Sequence, residues 1–303
     1  MDALLAKDLV VVTGKGGTGK TTVAAALGLA AAARGRRVVV AEVAARDELA
    51  RTLGGEATEP FVERPVAPGL HHVSIDPQLA LEEYLIDQLP SRTLADLLVR
   101  SRTFSYLAAA TPGLTELLTM GKVWELAQPR RRTPGASPYD LVVLDAPATG
   151  HGLALLKAPR TFSEAARVGP VSRQGRTIHE MLIDRTRTGL VAVAAPEELA
   201  ISETLALRSG LREGLGRDLD RVVLNAMLPD RLTAAEAAAL ETAGDARAVR
   251  VARHHSRRAR AQRAQSSRLK RALDGRVQLS SLPYLFRHAL GPADLNQLAR
   301  RLG

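Results

Sequence analysis

Lysine, threonine and glycine crowd into one short span, Gly14-Lys15-Gly16-Gly17-Thr18-Gly19-Lys20-Thr21-Thr22. Its spacing fits G-x-x-x-x-G-K-[ST], and the chemistry of that pattern is the grip of phosphate oxygens. Glycines let the backbone close around an anion, so that successive N–H groups point inward at the start of a helix. Lys20 is expected to reach the β and γ phosphates of ATP, Thr21 to offer its hydroxyl to Mg²⁺, and Thr22 to lie beside the α phosphate. A carboxylate must complete such a site. Asp145, at the end of the apolar run Leu141-Val142-Val143-Leu144, is placed to hold Mg²⁺ with Thr21.

Those residues need a strand before the loop, a helix after it and a second strand beside it. Leu9 to Thr13 reads as the strand, and the Ala-rich stretch to Ala33 as the helix. Similar β-branched, apolar runs recur at Arg37–Glu42, His72–Ile75, Leu141–Asp145, Leu190–Ala194, Arg221–Asn225 and Val277–Ser280, with helical stretches between them. Continuous Val and Leu runs imply strands buried on both faces. The expectation is therefore an α/β fold: a doubly wound, mostly parallel sheet of about seven to eight strands in one P-loop domain over 1–303. Residues from about 77 to 130 break the rhythm and read as a helical insertion. Leu94, Leu97, Leu98, Phe104, Tyr106, Leu107, Leu114, Leu117, Leu118 and Trp124 supply its apolar surface. That surface could pack on its own sheet or form a groove for an apolar client.

The whole chain, 303 residues with 46% hydrophobic and 24% charged, can build a core, which excludes global disorder. Cysteine is absent, so disulfides, thiolate zinc sites and arsenite chemistry through sulfur are all excluded. The histidines lack i, i+4 partners of ligand type, so no metal beyond Mg²⁺ is expected. No apolar stretch is long enough for a membrane span and no secretion signal is legible, so a cytoplasmic protein is expected. The net charge is +10. Nearly all of it sits between Asp245 and Arg276, where eleven basic residues face two acidic ones. A basic helical segment is thus expected over about 234–275, on an otherwise neutral body.

The second position of the loop, Lys15, makes it the deviant form G-K-G-G-x-G-K-T. In order and spacing, Gly14–Thr22, Asp145-Ala146-Pro147-Ala148-Thr149-Gly150-His151, Pro196-Glu197-Glu198 with Glu203-Thr204, Val222-Val223-Leu224-Asn225 and Leu282-Pro283-Tyr284 resemble the arsenical-pump and tail-anchored-protein-targeting ATPase family. The segment Val168–Gln174 is similar to its actinobacterial branch, often called anion-transporting ATPases. The resemblance implies a dimer driven by ATP, as homodimer or as heterodimer with a paralogue, in which Lys15 crosses to the partner's nucleotide. It further implies that 145–151 form the second switch, that Asn225 reads adenine, and that Glu197, Pro283 and Tyr284 are neighbouring nucleotide contacts.

Departures from the family pattern matter as well. Its first switch reads Asp-Pro-Ala-His-Asn, and the leading Asp orients the attacking water; here the run is Glu42-Val43-Ala44-Ala45-Arg46. Glu42 keeps the carboxylate at one methylene greater reach. Loss of a general base typically costs about 10² to 10⁴ in rate, so slow or partner-dependent hydrolysis is one expectation. The second switch has Ala146 and Pro147-Ala148 where Thr and Ala-Pro are usual. The leading reading is a Mg-ATP-dependent dimeric ATPase, with Lys15, Lys20, Asp145 and Glu42 catalytic, whose hydrolysis resets a surface for a protein client. The alternatives are a weakly hydrolysing subunit of a heterodimeric pair, and a partition-type ATPase on DNA. Against the latter, the arginines of the basic segment recur around the helix and lack aromatic platforms.

Overall fold

In the computed structural model of the chain, residues 1–43, 47–55, 59–89, 91–101, 110–133, 135–166 and 168–303 are described. The apolar runs become β1 (Leu9–Gly14), β2 (Val38–Val43), β3 (Arg64–Ala67), β4 (Leu70–Ile75), β5 (Leu141–Ala148), β6 (Thr188–Ala194), β7 (Arg221–Met227) and β8 (Gln278–Pro283). They form one sheet in the order β3-β4-β2-β5-β1-β6-β7-β8. Neighbours are parallel throughout, except for the antiparallel pair β3 and β4 at one edge. The doubly wound reading therefore stands, with eight strands.

The helices are α1 (Asp2–Leu5), α2 (Lys20–Ala32), α3 (Glu48–Thr52), α4 (Pro77–Gln88), α5 (Arg92–Arg100), α6 (Leu114–Leu126), α7 (Thr149–Ala165), α8 (Pro170–Ile183), α9 (Glu198–Leu215), α10 (Ala234–Thr242), α11 (Arg247–Ala272) and α12 (Pro292–Leu302). Alternation along the strands sorts them into two layers. Val10, Val12, Val38 and Val40 pack with the small side chains of α2 and with Leu295, Leu298 and Leu302 of α12. Leu9, Val11, Val39 and Ala41 face the other way, onto Met120 and Val123 of α6, Leu155 of α7, Ile178 of α8 and Leu211 of α9. Both faces of the central strands are dry, which is why their sequences are continuous rather than alternating.

β3 is the strand that the hydrophobic pattern does not announce. It is short, carries Pro65 and is half-exposed, as an edge strand can be because proline cannot donate to a second neighbour. The stretch after β4 is helical in its described residues. Asp76 caps α4 by accepting from the Gln78 and Leu79 amides at 2.8 and 3.0 Å, with Pro77 as its first residue. Its apolar residues divide between core and surface. Leu117 and Leu118 are buried, whereas Leu94 and Leu97 of α5 are 40% and 67% exposed. Phe104, Tyr106 and Leu107 lie outside the described residues.

The basic segment forms two helices rather than one continuous run, with a break between Thr242 and Arg247. Its arginines are partly neutralised in place: Arg250 by Asp245 at 3.4 Å, Arg263 by Asp230 at 2.7 Å, and Arg257 by Glu241. Among the described residues no helix is long and apolar enough to cross a membrane.

Candidate functional site

β1 stops at Gly14 and α2 starts at Lys20, so the loop between them lies at the carboxyl edge of the sheet, where open parallel sheets bind ligands. Two of its glycines have no substitute. A Cβ on Gly14 would stand 2.1 Å from the Val193 carbonyl oxygen of β6, and one on Gly19 would stand 2.2 Å from Nδ2 of Asn225. Gly19 also caps α2 in the left-handed region, at φ 87°, which costs other L-residues roughly 1 to 2 kcal/mol. Gly19→Ala is therefore expected to push Asn225 aside and weaken ATP binding about tenfold, roughly 1.4 kcal/mol; isothermal calorimetry at constant Mg²⁺ measures it.

The loop opens on a cavity of about 520 Å³ that gathers Gly16, Gly17, Gly19, Lys20, Thr21 and Thr22 with Glu42, Asp145 and His151. Lys20 directs its ammonium back along the loop, donating to the Lys15 carbonyl at 3.3 Å. Thr18 closes the turn from inside, its hydroxyl donating to the same carbonyl at 2.8 Å. Across the cavity, the Thr21 hydroxyl donates to Asp145 Oδ2 at 2.6 Å, joining residues 124 positions apart. Asp145 Oδ1 is buried with no hydrogen-bond partner. Burial pushes the Asp145 carboxyl up to about 6, against the Thr21 hydrogen bond and the Lys20 charge and with the help of Glu42. Among the described residues, four carboxylates, Glu42, Glu48, Glu116 and Asp145, line this cavity against the single ammonium of Lys20. A triphosphate alone would be repelled by that lining, and a divalent cation between ligand and wall resolves the conflict.

Glu42 occupies the end of β2 in register with Asp145 of β5. Its Oε2 lies 2.6 Å from Nε2 of His72, both side chains being essentially inaccessible, and also accepts from the Leu49 amide at 3.3 Å. Ala44, Ala45 and Arg46 of the expected first switch lie outside the described residues. Thr149 and His151 of the expected second switch open α7, and Pro147, Ala148 and His151 line the cavity.

Thr22 leads into a smaller hollow of about 190 Å³, bounded by Asn225, Pro283, Tyr284 and His288. Asn225 donates from Nδ2 to the Thr18 carbonyl at 2.9 Å, which ties this hollow to the loop. Its remaining amide N–H and carbonyl suit the donor and acceptor edge of a base. The next residue, Ala226, sits in the left-handed region at φ 61°, a strain that the fold holds beside this hollow. Tyr284 meets Phe286 edge-on at 4.9 Å. Glu197 lies apart from both hollows, exposed ahead of α9.

Lys15 is not extended into solvent. Its ammonium donates to Glu203 Oε1 of α9 at 2.5 Å, and Glu203 Oε2 accepts from the Thr149 hydroxyl at 3.2 Å. Lys15 beside it holds the Glu203 carboxyl below the usual carboxylate range. Neither His72 nor the role of Glu203 follows from sequence reasoning; the one available signal for His72 was a histidine pair inside an apolar strand.

A glycine loop between strand and helix, with a strand-end carboxylate facing the first hydroxyl of that helix, defines the P-loop nucleotide-hydrolase class. Residues 7–172 match the family model for the anion-transporting ATPase, and the chain belongs to that family. ATPase BagA of Mycobacterium tuberculosis is 33% identical over 251 residues, covering 80% of this chain and 72% of that protein. The arsenical pump-driving ATPase of Acidiphilium multivorum is 27% identical over 72% of this chain and 39% of its own length. ATPase GET3B of Arabidopsis thaliana is 25% identical over 71% of this chain and 63% of its own length. The Mycobacterium relative agrees with the actinobacterial branch, and the family makes the chain an ATP hydrolase.

Proposed function

We propose that the protein is a Mg-ATP-driven dimeric switch whose closed and open forms differ in how they present a surface to a protein client or partner. The observation that carries this reading is the relay Lys15–Glu203–Thr149. Lys15 can reach a nucleotide bound to a partner subunit only by leaving Glu203, and Glu203 also holds Thr149, the residue of the expected second switch that opens α7. Nucleotide chemistry and helix position are thereby joined through one carboxylate.

Within the site, the loop amides and Lys20 take the phosphates, Asn225 and Tyr284 take the base, and Thr21 with Asp145 hold the divalent cation. Mg²⁺, when bound, would supply charge neutralisation between the β and γ phosphates. The orphaned Asp145 Oδ1 and the acid-rich lining support that fit. Glu42 is assigned the orientation of the attacking water. Helix α5, with Leu94 and Leu97 turned outward, is assigned to the client surface. The basic helix α11 is read as a solvated or acidic-partner-facing element, because Asp230, Glu241 and Asp245 already engage its arginines.

Light scattering on a sizing column tests the proposal directly. The purified chain is expected to double its mass with Mg-ATP and a hydrolysis-blocked analogue, and Lys15→Ala is expected to stay at the monomer mass and turn over about 10²-fold more slowly. A mass that does not respond to nucleotide in the wild type removes the homodimer; a doubled mass only with a paralogue present selects the heterodimer.

A further inference from the structure

We infer that His72 is a positioning residue for ATP hydrolysis, locking the Glu42 carboxylate toward the phosphate cavity. The inference rests on the ATPase reading and adds a residue to it.

Glu42 and His72 come from adjacent parallel strands, 30 residues apart in the chain, with their polar ends 2.6 Å apart. Side-chain exposure is 1% for Glu42 and 0% for His72, so water does not share the contact. An ionised carboxylate can only accept, so His72 Nε2–H is the donor. The Leu49 amide adds a second donor to the same oxygen. Oε2 is therefore fully engaged from the protein side, whereas Oε1 is buried and has no partner. The residue lines the cavity that Lys20, Thr21 and Asp145 share.

This pair differs from an ordinary core contact in two ways. A buried charged pair is commonly no more stabilising than apolar residues of the same volume, so the fold does not need it at this place. A buried acceptor left unsatisfied is a further cost, and in native proteins such an atom asks for an explanation. The extra methylene of glutamate is the second difference. A longer chain has more rotamers to lose, and a water-orienting group must be held to roughly half an ångström. An aspartate at that position would have one fewer side-chain torsion to fix; a glutamate gains more from an outside lock. His72 binds one oxygen and leaves the other for a water.

A purely structural role would be to fasten the start of α3 through the same carboxylate, and the test must separate the two. Steady-state ATP hydrolysis is measured on the full chain for wild type, His72→Leu, His72→Gln and Glu42→Asp, with thermal melts alongside. His72→Leu is expected to lower kcat about tenfold to a hundredfold, with KM for ATP within about twofold of wild type, since phosphate binding does not pass through it. His72→Gln, which keeps an N–H of similar reach, is expected to recover most of that loss at unchanged KM. Glu42→Asp, too short for the histidine, is expected to be insensitive to a second His72→Leu change. An unaltered kcat in His72→Leu, or equal losses in Leu and Gln variants, overturns the assignment while wild-type turnover keeps the ATPase reading intact. A wild-type chain that binds Mg-ATP and never turns over overturns both together.

Discussion

Replacing Lys20 with alanine is expected to reduce ATP turnover by at least about 10³-fold and to leave the fold intact. Among the described residues that line the phosphate cavity, its ammonium is the one Lys or Arg group set against Glu42, Glu48, Glu116 and Asp145. Without it the described lining keeps four carboxylates and no lysine or arginine, so a triphosphate loses its direct side-chain counter-charge there and is left with the loop amides and the divalent cation. The energetic asymmetry favours a clean result. Lys20 is half-buried at the first turn of α2, and the apolar contacts that hold this helix begin at Val23 and Ala24. Phosphate release and calorimetric ATP binding should both collapse, whereas the melting temperature should stay close to that of wild type. Lys20→Arg should fail almost as badly, because a planar guanidinium on a stiffer fork cannot take the place of a compact ammonium inside a closed loop. Turnover within threefold of wild type in Lys20→Ala would remove the phosphate loop from the chemistry altogether.

What the sequence makes legible here is local, and what it hides is set by sheet order. The loop, its flanking strand and its helix announce themselves in about twenty residues because glycine geometry, strand periodicity and helix propensity act over short distances. Asp145 is legible as a strand-end carboxylate. That its Oδ2 meets Thr21 depends on β5 inserting between β2 and β1, a choice that no periodicity encodes. The same insertion sets Glu42 beside Asp145. His72 reaches Glu42 only because β4 lies next to β2 in a register that sets His72 opposite Val40, two residues before Glu42. β3 escapes because a proline-bearing edge strand has neither the length nor the alternation of its neighbours. Glu203 is legible only as part of the Glu203-Thr204 motif, and its pairing with Lys15 is set by how α9 packs beside the loop, which no local pattern encodes.

Arg131→Ala is expected to destabilise the protein by about 3 to 5 kcal/mol, the loss typical of removing one member of a buried charge network. The residue lies in the return loop between α6 and β5, with a wholly buried side chain. Its guanidinium bonds Glu125 Oε1 at 2.7 Å and Oε2 at 3.0 Å, and Glu63 Oε2 at 3.1 Å and Oε1 at 2.6 Å. Tyr139, at the foot of β5, donates its hydroxyl to Glu63 at 2.8 Å, and Glu125 also accepts from the Arg132 amide at 3.0 Å. Truncation leaves two carboxylates facing each other with Lys122 as the main remaining cation, 3.2 Å from Glu125. The pH dependence gives the prediction its sharper edge. Burial raises both carboxyls, but the Arg131 hydrogen bonds and charge outweigh it, so Glu63 and Glu125 sit below the usual carboxylate range in the folded chain. Folded values below the unfolded ones, about 4.3, mean that their contribution is complete above that pH and is lost as the pH falls through the folded values. In Arg131→Ala burial is far less opposed, the carboxyls move upward, and a proton on one of them relieves the repulsion. The gap between wild type and variant in urea unfolding should therefore be widest near pH 7 and narrow steadily toward pH 4. A gap that is small at pH 7, or one that does not narrow on acidification, would show that the return loop is held by its apolar neighbours instead of by this pair of forks.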